Sequence, residues 1–373
     1  MTIYIIIILL INFGIYTYDI KRKKGKKSYY IFLLLVLISL AAFRYEVGAD
    51  TVRYMRGFNN LLVGESMDSV EMGDKFQPLA VLIFGGTKLF GGEFWIIQLI
   101  YAIIFNCTIF WFINKYSQNI FCCLLIYFLF FYPKLNFEIL RESLAIVFFM
   151  IGFVNLEKKK YWIYGLCCIG AFLSHISGIF MIFFLIIRKL PNTPTYLCAY
   201  IGLSLLLSFV SDKIVSAFIG IGNVEDWVGY QSSIMGKIGI LIKAVLFPLL
   251  VYHIAKHRNV STPILNAIKL YPFIACAELV IFILFRFENY MAPFMIIGLA
   301  GILFSLFSKI RITQFANAII IGLFAIFVYT LPYFTSISKS QYIPYYEFWI
   351  PYYSILDQNK DTQRTNMISL YGR

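Results

Sequence analysis

The chain has 373 residues, of which 60% are hydrophobic, 19% aromatic and 14% charged. An ordinary globular domain is about 45–50% apolar and about 25% charged, so a water-soluble fold of this length would lack the polar residues to cover its surface, and 38 Phe with 27 Tyr exclude disorder as well. The formal charge of +13 does not call for nucleic acid, because basic residues beside apolar spans mark the cytoplasmic face of a membrane protein.

Composition leaves an all-α polytopic integral membrane protein, and at about 20 residues per crossing its length allows roughly 10 to 13 crossings in a single multi-pass domain. The N-terminus reads TIYIIIILLINFGIYTY, then KRKKGKK. A secretory signal carries its charge before the apolar run; here the charge follows, which predicts an uncleaved first span with its start outside. A second span over about 29–43 ends at Phe43-Arg44 and opens an outer segment over 44–75. The next apolar piece, 76–91, carries Gly85, Gly86 and Lys88. As a helix it would be about 24 Å long against a hydrocarbon core of about 30 Å, so it is expected to be re-entrant or interfacial. That choice puts Lys158-Lys159-Lys160 in the cytoplasm, where the charge rule wants them. Spans then follow over 94–113, 119–132, 137–155, 161–175, 178–188, 194–211, 237–253, 265–285, 290–308 and 314–334, twelve with the first two. An outer loop over 212–236 and an outer C-terminal tail over 335–373 complete the topology, with half of the Lys and Arg in cytoplasmic loops.

Cys107, Cys122, Cys123, Cys167, Cys168, Cys198 and Cys276 lie in apolar runs without His or carboxylate neighbours, a spacing that suits neither a metal nor a disulfide framework. His253 and His257 have helical metal-pair spacing but stand beside Lys256 and Arg258 with no carboxylate. No metal and no cofactor is expected. The topology instead gathers four groups of polar residues on the outer face. Arg44, Glu46, Asp50, Arg53, Tyr54 and Arg56 lie in the first outer segment, and Glu138, Arg141 and Glu142 open the span at 137. His175 and Ser177 sit at the apex of the 161–188 hairpin, and Arg286, Glu288 and Tyr290 occupy a tight turn. Singly, each Arg reads as an interface anchor and His175 as a satisfied interior residue. Three arginines with a His and a carboxylate on one apolar face are a functional hypothesis. The guanidinium fork binds phosphate oxygens bidentately, which suits a lipid diphosphate at the membrane surface. No Walker loop, dinucleotide glycine fingerprint, serine elbow or Asp-x-Asp pair is present in the sequence.

Phe43-Arg44-Tyr45, Val47-Gly48-Ala49-Asp50-Thr51 and Tyr54 together read FRYEVGADTVRY, which resembles the opening signature of the EpsG/Wzy-type bacterial polysaccharide polymerases. The likeness continues with Arg141-Glu142-x-x-Ala145, His175-x-Ser177, Arg286 with Tyr290, and the aromatic Tyr352-Tyr353, in order along the chain. Three positions depart from the pattern: Glu142 stands for a glutamine, Ala49 for a threonine or serine, and Gln77-Pro78 for an acidic residue. The resemblance implies a glycosyltransferase-C-like enzyme that joins undecaprenyl-diphosphate-linked oligosaccharide repeat units on the periplasmic face of the bacterial inner membrane, an O-antigen polymerase foremost. The lipid-linked oligosaccharide would be both donor and acceptor, with the bilayer, a chain-length regulator and a flippase as partners and no nucleic acid.

On that reading Arg141 and Arg286, supported by Arg44, would stabilise the departing diphosphate without a metal. Either Asp50 or His175 would be the general base, and the two remain open. Tyr45, Arg53, Tyr54, Glu142, Ser177 and Tyr290 would contact diphosphate or sugar. Two other functions compete. A flippase for the same lipid-linked sugar would use midspan charges, for which Lys243, Lys269 and Glu278 are available; a membrane O-antigen ligase or acyltransferase would also suit an outer arginine set.

Overall fold

The computed structural model describes residues 1–61, 77–210, 234–309, 316, 319–323, 325–327 and 348–357. Among these the chain is helical, and the single antiparallel bridge, Arg44 with Ser354, belongs to no strand. In order the helices are α1 Thr2–Gly14, α2 Lys26–Ala42, α3 Ala49–Asn60, α4 Pro78–Leu89, α5 Phe94–Tyr116, α6 Ile120–Ile126, α7 Leu140–Glu157, α8 Tyr161–Ser174, α9 Phe180–Ile187 and α10 Pro194–Leu207. After the 211–233 stretch come α11 Ile234–Leu241, α12 Phe247–Ala255, α13 Thr262–Ile268, α14 Tyr271–Val280 and α15 Phe287–Lys309. Two compact units divide the chain: Met1–Met72 with Ala80–Leu144 and Leu303–Arg373, and Gly73–Leu79 with Ala145–Ile302.

In the first unit α1 buries Tyr4, Ile7, Ile8 and Ile11, the i, i+3, i+4, i+7 stripe of a helix with one packed face. Its other face exposes Ile3, Ile6, Leu9 and Phe13. In water that face would cost about 25 cal/mol per Å²; against lipid tails, as apolar as leucine, it costs nothing. α2 repeats the arrangement, with Leu33, Leu37, Leu40 and Ala41 inside and Ile31, Phe32 and Leu35 outside. It packs on α5, where the Tyr30 hydroxyl donates to the Phe110 carbonyl at 2.9 Å. Tyr29 reaches the Leu10 carbonyl of α1 at 2.8 Å. A polar triangle is buried between these helices. Tyr127 donates to Asn106 Oδ1 at 3.0 Å, Asn106 Nδ2 donates to Asn136 Oδ1 at 2.7 Å, and Asn136 Nδ2 donates to the Tyr127 hydroxyl at 2.7 Å. Each member is satisfied, so the network fixes the register of α5 against α6 instead of destabilising the interior.

The second unit is organised around Phe149 of α7. Its ring meets Phe184 at 5.1 Å, Phe180 at 5.2 Å, and Tyr290 and Phe294 at 5.8 Å, all edge-on, the arrangement that aromatic quadrupoles favour. α8 exposes Trp162, Leu166, Ile169 and Phe172, and the α11–α12 run exposes Ile234, Ile238, Ile242, Leu246 and Leu250, again a lipid-compatible exterior. α8 and α9 form a hairpin through the 3₁₀ turn Ile176–Ile179. A Cβ on Gly178 would lie 2.5 Å from the Ala171 carbonyl oxygen and 2.7 Å from the Phe172 nitrogen, so only glycine lets the turn fold back onto α8.

Five helical runs among the described residues are long and apolar enough to cross a membrane: Thr2–Ile20, Phe94–Tyr116, Ile234–Ala255, Thr262–Val280 and Phe282–Ser305. Shorter apolar helices lie at Pro78–Leu89, Ile120–Phe131, Tyr161–Ser174, Ile176–Ile187 and Pro194–Leu207. The all-α membrane architecture stands; the count of twelve spans does not come from these lengths. At about 1.5 Å per residue α4 is roughly 18 Å long, too short for a crossing of about 30 Å. The expected boundary between spans at 132–137 also moves. Wide π-helical turns at Tyr127–Phe131 and Lys134–Glu138, on either side of Pro133, carry the helical run begun at Ile120 through to Glu138. Glu138 therefore closes one helical run and does not open the next. Most of the expected span 314–334, residues 62–75 of the first outer segment, most of the 212–236 loop, and the 335–373 tail apart from 348–357 lie outside the described residues.

The hairpin yields the first prediction. Gly178→Ala should destabilise the purified protein by about 1–3 kcal/mol through overpacking, read as a lowered thermal midpoint in detergent. Gly165→Ala, where an added methyl meets nothing within 4 Å, should leave the midpoint unchanged or raised.

Candidate functional site

In the first unit, a corner forms where the chain turns from Glu138 into α7 and meets the start of α3. Gly48 precedes α3 with φ +108°, in the region open to glycine. A Cβ there would sit 2.8 Å from Thr51 Oγ1 and 2.9 Å from the Phe137 carbonyl oxygen. The close approach lets the Thr51 hydroxyl reach the carbonyls of Val47 at 2.9 Å and Phe137 at 3.0 Å. It also lets the buried Glu138 carboxylate accept from the Asp50 backbone N–H at 3.0 Å, supplying a partner for an otherwise orphaned N–H at the α3 N-terminus. The other Glu138 oxygen accepts from Trp349 Nε1 at 2.7 Å.

Asp50 and Tyr54 are four residues apart on α3 and share a face. The Arg141 guanidinium stands 5.4 Å from the Tyr54 ring centroid, a cation–π distance. A half-exposed carboxylate and a half-exposed guanidinium thus occupy one corner, and the buried Glu142 lies in the same first turn of α7 as Arg141. Arg53 points out into the open, and Arg56 is half-buried.

Arg44 is inside this unit, 1% exposed. Its Nε donates to the Val47 carbonyl at 3.2 Å, Nη1 donates to the Ala41 carbonyl, and the guanidinium lies 5.1 Å from the Phe137 ring centroid. Arg44 belongs to the connection between α2 and α3, where burial lowers its pKa from 12.5 to about 10, partly offset by Tyr132, Tyr352, Glu138 and Tyr4 around it. The 348–357 segment is laced to the same connection. Tyr45 N–H donates to the Tyr353 carbonyl and Ile355 N–H to the Phe43 carbonyl, both at 2.9 Å; Gly48 N–H meets the Phe348 carbonyl at 2.9 Å. Tyr4 reaches the Trp349 carbonyl at 2.7 Å, and Tyr352 reaches the Leu40 carbonyl at 3.0 Å. Burial pushes the Tyr352 hydroxyl up to about 12, so it remains a donor at any physiological pH.

In the second unit His175, Ser177 and Tyr290 form a chain. His175 caps the 3₁₀ turn, its Nδ1 accepting from Ser177 N–H at 3.1 Å, and the Ser177 hydroxyl lies 2.7 Å from the same nitrogen. The Tyr290 hydroxyl lies 2.8 Å from Ser177 Oγ. All three residues are buried, with Tyr290 at 0% and His175 and Ser177 at 6% exposure. Phe180 against Phe287 at 5.1 Å and against Tyr290 at 4.8 Å holds the hairpin on the first turn of α15. Arg286, half-buried, ends the 3₁₀ turn Phe282–Arg286 directly before that helix. Glu288 pairs with Lys243 at 2.6 Å.

The sequence-expected residues therefore fall into two groups: Arg44, Tyr45, Asp50, Arg53, Tyr54, Arg141 and Glu142 in the first unit, His175, Ser177, Arg286 and Tyr290 in the second. Sequence reasoning did not give Glu138 a site role and gave Trp349 none. The signal for Glu138 was a lone carboxylate in an apolar stretch ahead of Arg141, but its partner lies 211 residues away. Among the described residues, no three His, Cys, Asp or Glu side chains lie close enough to hold a metal.

The sequence model of the EpsG family matches residues 27–354, from the first turn of α2 to the bridge at Ser354. The chain belongs to the EpsG family. Membership supports a polysaccharide-polymerase type of function, and the apolar helices support a place in a membrane. No curated protein and no solved structure matches the chain.

The Glu138 corner can be tested by stability. Glu138→Ala leaves the Trp349 and Asp50 N–H groups without their acceptor and should cost about 1–3 kcal/mol, seen as a lower thermal midpoint together with a shift in tryptophan emission. Glu138→Gln, which keeps one acceptor oxygen, should cost less.

Proposed function

We propose that the protein is a metal-independent polymerase of the outer face of the inner membrane, transferring a growing glycan from its undecaprenyl-diphosphate carrier to a lipid-linked oligosaccharide repeat unit. O-antigen is the polymer favoured. The observation that carries the reading is the corner where Asp50 and Arg141 are held by Glu138 and Tyr54, within a chain matched by the EpsG family over 27–354.

The reaction needs two things from a protein. Negative charge grows on the departing diphosphate, and the attacking sugar hydroxyl must lose its proton. Arg141 in the first unit carries a guanidinium of permanent charge suited to phosphate oxygens, and Arg286 in the second unit carries another of the same chemistry. Asp50 sits with its backbone pinned and its carboxylate half-exposed, as a general base requires. Arg44 shapes the wall behind it through the main chain. Tyr45, Arg53, Tyr54 and Glu142 line or support the acceptor side. The outward orientation follows from the basic loops, with Lys158, Lys159 and Lys160 beyond α7. The Arg188–Glu157 pair at 2.9 Å would then close the cytoplasmic end of the second unit.

Arg141→Ala and Arg286→Ala should each abolish long-chain polymer while single repeats are still attached, scored as the ladder length of surface glycan in a complemented deletion strain. Arg→Lys at either position should remain poor, because a point charge loses the bidentate fit. Full-length ladders in both alanine variants would overturn the proposal. Lipid-linked repeats accumulating on the inner leaflet of the deletion strain would indicate a flippase instead.

A further inference from the structure

The two ends of α2 differ in character. Arg44 follows the helix and is buried; Lys26 opens it, at the other end of a 17-residue run about 25 Å long. Around Lys26 two connections of the first unit come together, 21–25 between α1 and α2 and 117–119 between α5 and α6. The Lys26 ammonium donates to the Gln118 carbonyl at 2.8 Å and lies 3.8 Å from Asp19 Oδ1. Asp19 is buried at 2% exposure, and its Oδ2 accepts from the Cys122 N–H in the first turn of α6 at 2.9 Å. One cation and one acid therefore tie the two connections to each other.

The other cations of this end have no such task. Lys21, Arg22, Lys23, Lys24, Lys27 and Lys115 are exposed, and among the described residues none of them pairs with a carboxylate. The stretches that meet here, 20–45 and 94–137, contain no Asp or Glu. The turn carrying four of these cations is held in one shape. Lys21 N–H donates to the Tyr16 carbonyl at 3.0 Å and Lys23 N–H to the Thr17 carbonyl at 3.1 Å. Arg22 has φ +49° and Gly25 φ +92°, and an arginine keeps a left-handed backbone only where its surroundings over-determine it. Aromatic rings adjoin the turn. Lys21 stands 4.7 Å over the Tyr16 ring and Lys115 5.7 Å over Tyr116, while Tyr18, Tyr29 and Phe121 meet one another at 5.4–5.8 Å. Aromatic side chains gathered at the end of apolar helices sit at the level of lipid headgroups.

Like charges held this close repel, and the fold places no exposed acid among them, so the counter-charge comes from outside the chain. The geometry points to a binding site for anionic phospholipid headgroups, formed by Arg22, Lys23, Lys24 and Lys27 with Lys115 from the adjoining helix end. The charge rule makes the leaflet concerned the cytoplasmic one. Phosphodiester oxygens at the depth of the tyrosines are the anions such a surface meets first, and clustered basic residues beside a span attract them. Charge complementarity sets the class of lipid. A headgroup of net negative charge, such as phosphatidylglycerol, fits; a zwitterionic one would bring its own ammonium among these cations. Lys26 is a positioning residue, since it joins the connection carrying Arg22 to the one that follows Lys115. The site stands at the end of α2 remote from the 43–48 connection, and it does not rest on the polymerase reading.

Full-length protein purified in neutral detergent tests this by native mass spectrometry during titration with phosphatidylglycerol, phosphatidylcholine or inorganic phosphate. The parent should retain phosphatidylglycerol more than about tenfold more tightly than phosphatidylcholine, and less tightly as salt rises toward about 0.5 M. Arg22→Gln, Lys23→Gln, Lys24→Gln and Lys27→Gln should each weaken retention about fivefold, the effect of one basic residue near a charged surface. A variant with Lys158→Gln, Lys159→Gln and Lys160→Gln, which removes three charges from the second unit, should retain the lipid as the parent does. Lost charge can also disturb insertion, so a variant with Lys23→Arg, Lys24→Arg and Lys27→Arg serves as the control of conserved charge and should bind like the parent. A phosphatidylglycerol bearing a photoreactive group beside its headgroup should label peptides covering 21–27 and 113–118 of the parent. Equal retention of the two phospholipids, or labelling confined to other peptides, would overturn the site. Equal loss in the 158–160 variant would overturn it as well, because net charge alone would then account for binding. Inorganic phosphate displacing the lipid at equal concentration would overturn the lipid as occupant in favour of a free anion. A parent that retains no phosphatidylglycerol would overturn it in favour of an acidic protein surface.

Discussion

The Glu138 carboxylate is the constraint on which the first unit turns. One oxygen holds the N-terminus of the helix that carries Asp50 and Tyr54, and the other holds Trp349 from the far end of the chain. A buried carboxylate with both oxygens engaged is stable where an unpartnered one would be costly. It can be so engaged only because two wide π turns carry its helical run past Pro133 and deliver the side chain to that corner. Residues from three remote stretches therefore share a single anchor, and the start of the helix that carries Asp50 is held through its main chain.

Arg44 shows the same economy. A guanidinium inside an apolar unit carries a large desolvation cost, offset here by carbonyls of its own turn and by the face of Phe137. Those contacts fold the 43–48 connection into a shape whose free N–H and carbonyl groups pair with 348–357. The C-terminal aromatic stretch is thus a structural part of the first unit. The second unit uses a different device. There a 3₁₀ turn needing glycine at 178 places a histidine whose own ring nitrogen caps the turn.

Much of the architecture was legible because membrane proteins must satisfy a severe solvent. Apolar runs, the basic stretch after α1 and the lysines after α7 mark helices and their ends with little dependence on tertiary contacts. The short pieces were less legible. Nothing in IFCCLLIYFLFFYPKLNFE says that the helical run continues through Pro133, because a π turn leaves no compositional mark. The candidate residues were found as types and in order, through Arg141, His175, Arg286 and the FRYEVGADTVRY stretch. Their division into a buried strut at Arg44, an exposed side chain at Arg53 and a half-exposed guanidinium at Arg141 was not visible, since one residue type has all three fates depending on what packs over it.

By itself, then, the sequence determined the solvent. An excess of apolar side chains is a chain-local signal, and half of the Lys and Arg fall in the loops expected to face the cytoplasm. The tertiary structure decided the chemistry of the few polar residues left over. Glu138 is an anchor because Trp349 reaches it, and His175 caps its own turn because the Ser177 N–H meets its Nδ1. Both are set by groups brought within about 3 Å by folding, the range in which hydrogen bonds act, and no spacing along the chain encodes them.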